Sequence, residues 1–182
     1  KNKPSAGFRG RARSGVPINR IRAWSGAQSR YASICQCARN QGLGHRKSEY
    51  FKTRNFNKGD LAESRIDAEV DFDFKEESPI SGKMEPGEFT LRWTGAIHAP
   101  ETGYYEFVIH ASHAVRLWVN DNNTPLIDAW VKSGKDTEYK GSIYLVSGRS
   151  YSLRLEFTKA KQGVNDNKKP KVVQPAFVKL QW

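Results

Sequence analysis

The sequence has two cysteines, Cys35 and Cys37, and none from residue 38 to its end at Trp182. Whatever folds downstream of Cys37 holds together without disulfides, and cysteine usage assigns no redox compartment. One residue, Gln36, separates the pair, whereas haem-attachment and thioredoxin-type motifs need two. Structural zinc wants about four nitrogen or sulfur ligands. His45 would be a third at an unusual spacing and no fourth is evident, so two free or adventitiously oxidised thiols are expected. No run approaches the roughly 20 apolar residues of a membrane helix. The HExxH, GxSxG, P-loop and dinucleotide fingerprints are all missing. The chain opens on Lys1, which reads as a processed or excised chain with no signal segment left to give its address.

Acids are scarce too, but only at one end. Residues 1–50 hold eleven Lys/Arg and one acid, Glu49, whereas residues 51–182 hold nineteen Lys/Arg and eighteen acids. The formal charge of +11 thus sits almost wholly in the first 50 residues. Aromatics divide the opposite way: only Phe8, Trp24 and Tyr31 precede Tyr50. Residues 1–44 read as a basic arm, rich in Gly, Ser, Pro and Arg, without the apolar surface to offset the entropy of ordering. Its spaced arginines (Arg9, Arg11, Arg13, Arg20, Arg22) beside Trp24 could grip phosphates or anionic glycans. A solvated linker or an expression remnant is the simpler expectation, and nucleic acid is not an expected partner.

The body, residues 45–182, reads as short strands between turns. Glu69-Val70-Asp71-Phe72-Asp73-Phe74 alternates strictly, with Val70, Phe72 and Phe74 on one face and acids on the other. That is the pattern of an antiparallel strand with one wet face. Similar alternation recurs in Thr90–Trp93, Tyr105–His110 (Tyr105, Phe107 and Ile109 inward), Tyr151–Phe157 and Val178–Trp182. Pro86-Gly87, Pro100–Gly103, Asn120–Asn123 and Ser147-Gly148 supply the turns. No amphipathic helix of ten residues competes, although Gly59 to Glu63 could make one turn. The expected fold class is all-β, two packed antiparallel sheets.

The residues in this order resemble a PA14 domain: Glu49-Tyr50-Phe51, Asn55-Phe56, Arg65-Ile66-Asp67, Arg92–Gly95, Pro100–Phe107, Arg116–Val119 and Leu126–Trp130. The resemblance covers about residues 42–182 and implies an antiparallel β-sandwich, a module of exported bacterial toxins, adhesins and glycosidases for which glycan binding is the usual role. The family's calcium lectins carry two consecutive aspartates before the Arg-Leu-Trp strand, and here Ser112 and His113 take those places, with Ala114 where a glycine is usual. Ca²⁺ wants six to eight oxygens, so losing two carboxylates argues against that site, and no cofactor or metal is expected.

Remaining candidates for a ligand are in loops. Asn120, Asp121, Asn122 and Asn123, and Asn165 with Asp166, are dense in oxygens, although such clusters also make turns through their own side chains. His113 in a loop would be solvated or bind a ligand. Trp118 and Arg116 fall out of phase with inward Val115, Leu117 and Val119. Trp118, and Trp130 after Asp128, could stack on a sugar ring or lie under a neighbouring loop. Catalysis is not expected: Glu69, Asp71 and Asp73 form an open acidic ladder with no cleft to raise a carboxyl pKa. The leading expectation is a non-catalytic carbohydrate-recognition module of a larger exported or cell-envelope protein, partnered by a glycan or cell-surface polysaccharide. It would bind at a loop end made of Ser112, His113, the 120–123 turn and the 163–169 loop. The alternative is a structural or protein-docking domain without a small ligand.

Overall fold

The computed structural model describes residues 46–131, 135–160 and 173–182. The arm, Cys35, Cys37, His45, Asn165 and Asp166 lie outside them. Among the described residues are ten strands: β1 (Lys47–Phe51), β2 (Leu61–Ile66), β3 (Asp71–Lys75), β4 (Phe89–His98), β5 (Gly103–Ala111), β6 (Ala114–Val119), β7 (Ile127–Ala129), β8 (Glu138–Leu145), β9 (Ser150–Lys159) and β10 (Ala176–Gln181). The described residues are all-β, with one 3-10 turn among them at Lys58–Asp60.

The strands pair antiparallel into two sheets, of order β2-β1-β4-β9-β6-β7 and β3-β10-β5-β8. Alternation in the sequence explains the sandwich. Phe107 and Ile109 of β5, Leu155 and Phe157 of β9 and Val178 of β10 are fully buried between the sheets. Aromatic rings join the two sheets at one side: Phe72 stacks on Trp93 at 5.8 Å and Phe74 meets Phe89 edge-on at 5.6 Å. Each such side chain contributes roughly 1.5–3 kcal/mol by leaving water, which is how a body lacking disulfides is held.

Two expectations change. The Gly59–Glu63 turn is shorter and earlier, and Leu61 already starts β2. This strand is invisible to a periodicity search because it is a sheet edge, with Leu61 and Ile66 left 37% and 62% exposed. Backbone pairing with β1, not a buried face, makes it a strand. The wet face expected of Thr90–Trp93 is not wet either. Thr90 is fully buried, its hydroxyl 2.8 Å from that of Thr158, on the side away from the core. Loops of the same chain cover the outer face of the six-stranded sheet, and that cover positions several candidate residues.

Candidate functional site

Ser112 and His113 form the link by which the chain passes from β5 in one sheet to β6 in the other. Ser112 Oγ accepts from the Phe177 amide at 2.9 Å and lies 2.8 Å from His113 Nδ1. The Ser112 amide donates to the Phe177 carbonyl at 3.1 Å, so the link is stitched to β10. His113 is buried, 7% exposed, with its ring edge-on to Phe157 at 6.1 Å. The expectation of a solvated loop histidine is therefore corrected: the close crossover between sheets draws the imidazole under cover. This pair presents a hydroxyl already tied to backbone and a buried ring, not carboxylates, and the donor set does not fit a hard cation. Among the described residues no cluster of three or more His, Cys, Asp or Glu is arranged to hold a metal ion.

The 120–123 turn is at the other end of the molecule. β6 runs from Ala114 to Val119, so its two flanking loops leave in opposite directions. At about 3.4 Å per residue, β6 alone separates them by roughly 17 Å. The single loop end expected from the sequence is therefore two ends. Lys159 donates to the Gln174 carbonyl, and Thr158 pairs with Ala114, so both flanks of the 161–172 segment emerge beside Ser112 and His113. Asn120 adopts a left-handed φ of 63°. Asp121 accepts the amides of Asn123 at 2.7 Å and Thr124 at 3.3 Å, and these bonds hold its exposed carboxyl below the ordinary value. The oxygens of this turn are organised by the turn itself.

Trp118 and Trp130 belong to a lattice on the outer face of the six-stranded sheet. Register brings Glu49, Arg92, Glu156, Arg116 and Asp128 into one row across β1, β4, β9, β6 and β7, alternating in charge. Arg92 Nε donates to Glu156 at 3.0 Å and Arg116 Nε to Asp128 at 2.9 Å. The Asp128 carboxyl is lowered chiefly by Arg116 and also accepts the Trp130 amide at 3.1 Å. Aromatic rings roof the row: Arg92 lies 3.8 Å over Phe56, Arg116 lies 5.0 Å over Trp130, and Phe56 stacks on Trp130 at 6.3 Å. Arg154 covers Trp118 at 3.9 Å and donates to the Asn122 carbonyl at 3.0 Å, tying the 120–126 loop down. Trp118 is 6% exposed. Its indole is sealed under an arginine and is not a surface for a sugar. With arginines a quarter to a third exposed, such cation–π contacts are worth about 0.5–1 kcal/mol each, and together they fasten the loops to the sheet.

Two features escaped sequence reasoning. The first is Asp67, a buried carboxylate accepting from Tyr50 Oη at 2.7 Å, Trp93 Nε1 at 2.9 Å and Arg65 Nε at 2.9 Å. Burial pushes its carboxyl up, but hydrogen bonds from Ser48, Tyr50, Trp93 and Arg65 outweigh that and hold it below the ordinary range. Burial, and then Asp67, push the Tyr50 phenol well above its ordinary value. Asp67 ties β1 and β4 to the chain leaving β2, a structural role. The second is an exposed pair, Tyr104 (80% exposed) and Tyr144 (54%), edge-to-face at 5.2 Å on the outer face of the four-stranded sheet. The inward phase of Tyr105 and Phe107 was the signal that could have found it.

A family model of the PA14 domain matches residues 42–175. Among curated proteins, the anti-sigma-I factor RsgI3 of Acetivibrio thermocellus is 34% identical over 119 residues, 65% of this chain and 16% of that protein. A solved anti-sigma factor domain-containing protein from Clostridium clariflavum is 27% identical with a TM-score of 0.59, covering 75% of this chain and 40% of that one. The chain therefore spans well under half of either relative. The epithelial adhesin 6 A domain of Candida glabrata, solved with Galb1-3GlcNAc, shares the fold at 12% identity and a TM-score of 0.56, covering 76% of this chain and 78% of that one. With the two-sheet sandwich in place and the family match spanning most of its length, this chain belongs to the PA14 domain family.

Proposed function

We propose that the domain is a non-catalytic recognition module that binds carbohydrate without calcium, as one part of a larger protein of the cell envelope or exterior. The observation that carries the non-catalytic half is the state of the two acids the fold removes from water among the described residues, Asp67 and Glu156. Both are occupied by arginine and, for Asp67, by phenol and indole donors. A glycosidase needs one carboxyl kept protonated beside another across a cleft, and neither acid is free for that. The carbohydrate half draws support from the shared fold of a sugar-bound adhesin domain and from PA14 membership. The relatives named as anti-sigma factors suit a module that reports an external polysaccharide to the rest of its protein. Among the described residues no helix is long and apolar enough to cross a membrane.

A second reading, a structural or protein-docking domain, is favoured by the burial of His113 and the ties on Ser112. A glycan array probed in calcium and in a chelator separates the two. Carbohydrate recognition predicts binders that persist in chelator; no binder in either condition leaves the docking reading standing alone.

A further inference from the structure

We propose that Tyr104 and Tyr144 form the stacking platform on which this domain receives a pyranose ring of a neutral polysaccharide, an inference that rests on the carbohydrate reading above. Inward burial of Phe107 and Ile109 in β5 forces Tyr104 and Glu106 outward, and the β5–β8 register places Tyr144 opposite Tyr104 and Ser142 opposite Glu106. An exposed cross-strand aromatic pair is an ordinary way to steady two strands. Such a pair gains by covering its rings, yet here Tyr104 keeps 80% of its surface in water. The ring area left open is what C–H faces of a pyranose cover.

Polar groups stand where the hydroxyls of that sugar would fall. Glu106 and Ser142 are one repeat along the same face, about 7 Å from the tyrosine pair. A carboxylate accepts hydrogen bonds from neighbouring sugar hydroxyls, and a serine can donate or accept. The charge selects the ligand class. Glu106 and Glu101 near the rings are balanced by Lys140 on the same face and Arg149 in the adjoining turn, so a uronate-rich chain finds no excess of positive charge there, whereas neutral hydroxyls are matched.

The platform is also held rigid. The 99–103 and 146–149 turns beside it are joined by Ala99 N–H to Arg149 O (3.1 Å), Gly148 N–H to Ala99 O (2.9 Å) and Ser147 N–H to Thr102 Oγ1 (2.9 Å). Inside, Tyr105 Oη donates to the Glu101 carbonyl at 2.8 Å, and Tyr151 Oη accepts from the Val146 amide at 2.8 Å. A preformed site loses little ordering entropy on binding.

Affinity electrophoresis of the full 182-residue chain, through gels containing soluble β-glucan, xylan or galactomannan, with polygalacturonate as the anionic control, tests the proposal. The expected result is retardation by at least one neutral polymer, weakened tenfold or more in Tyr104→Ala/Tyr144→Ala and less than threefold in Tyr104→Phe/Tyr144→Phe. Glu106→Gln, which leaves the strands untouched, should weaken it several-fold and guards against misfolding of the double alanine variant. Undiminished retardation of the folded alanine variant overturns the platform and leaves the carbohydrate reading intact. Retardation by polygalacturonate alone overturns the neutral ligand. Absence of retardation in every gel overturns both readings, and a concentration-dependent self-association abolished by the same alanines would assign the rings to a second copy instead.

Discussion

Replacing Asp67 by alanine tests the packing logic of this domain at its most loaded point. The carboxylate is 8% exposed and receives the Tyr50 hydroxyl, the Trp93 indole and the Arg65 guanidinium within 2.9 Å. Tyr50 and Trp93 are fully buried, so both donors would be left without an acceptor. Each stranded buried donor costs about 1–3 kcal/mol. Arg65 is 39% exposed and can turn to water, so its ion pair adds at most about 1 kcal/mol. The sum is about 2–7 kcal/mol, a large share of the roughly 5–15 kcal/mol that holds a domain folded. At about 2–4 °C per kcal/mol for a chain of this size, the melting temperature should fall by roughly 5–25 °C, and the urea midpoint should drop at unchanged slope. The acid limb gives a second reading of the same carboxylate. Because its folded pKa lies below the ordinary value, its contribution is fully present above about pH 4 and is lost as pH falls through the lower folded value. The urea midpoint should therefore decline from pH 5 to pH 2 more steeply in the wild type than in Asp67→Asn. A loss under 1 kcal/mol for Asp67→Ala, or parallel acid limbs, would refute the reasoning.

Two further substitutions probe how the sheets meet. A Cβ added at Gly141 would lie 2.9 Å from Ile127 Cγ1 and 3.0 Å from the Leu126 carbonyl, so Gly141→Ala should cost about 1–3 kcal/mol in urea denaturation. Ser112→Ala should cost about 1–3 kcal/mol by depriving the Phe177 amide of its acceptor, while sugar binding, measured on the same sample below its melting point, stays unchanged.

Much of the fold was legible because burial writes itself as alternation. Asp71–Lys75 and Gly103–Ala111 show their inward residues plainly, and both are strands of the smaller sheet. β2 and β7 are edges of the larger sheet, and the short or exposed strands there carry no such signature. The outer lattice was illegible for a different reason. Arg92 and Glu156 are 64 residues apart, Trp130 meets Phe56 from another loop, and only the sheet register makes them neighbours. Asp67 was visible in a family motif, but its partners Tyr50 and Trp93 lie 17 and 26 residues away on strands that had first to be paired. The misplaced loop end was avoidable. Arg116–Val119 was recognised as strand, and a strand delivers its flanking loops to opposite ends, which parts Ser112 and His113 from Asn120–Asn123.

The central claim, carbohydrate recognition without calcium, is tested most directly by amide chemical-shift mapping of the labelled chain with neutral oligosaccharides in the presence of a chelator. The account predicts saturable shifts confined to Tyr104–Glu106 and Ser142–Val146 and unchanged by added calcium. Shifts that appear only with calcium and centre on Ser112 and His113, or no shifts with any sugar, would contradict it.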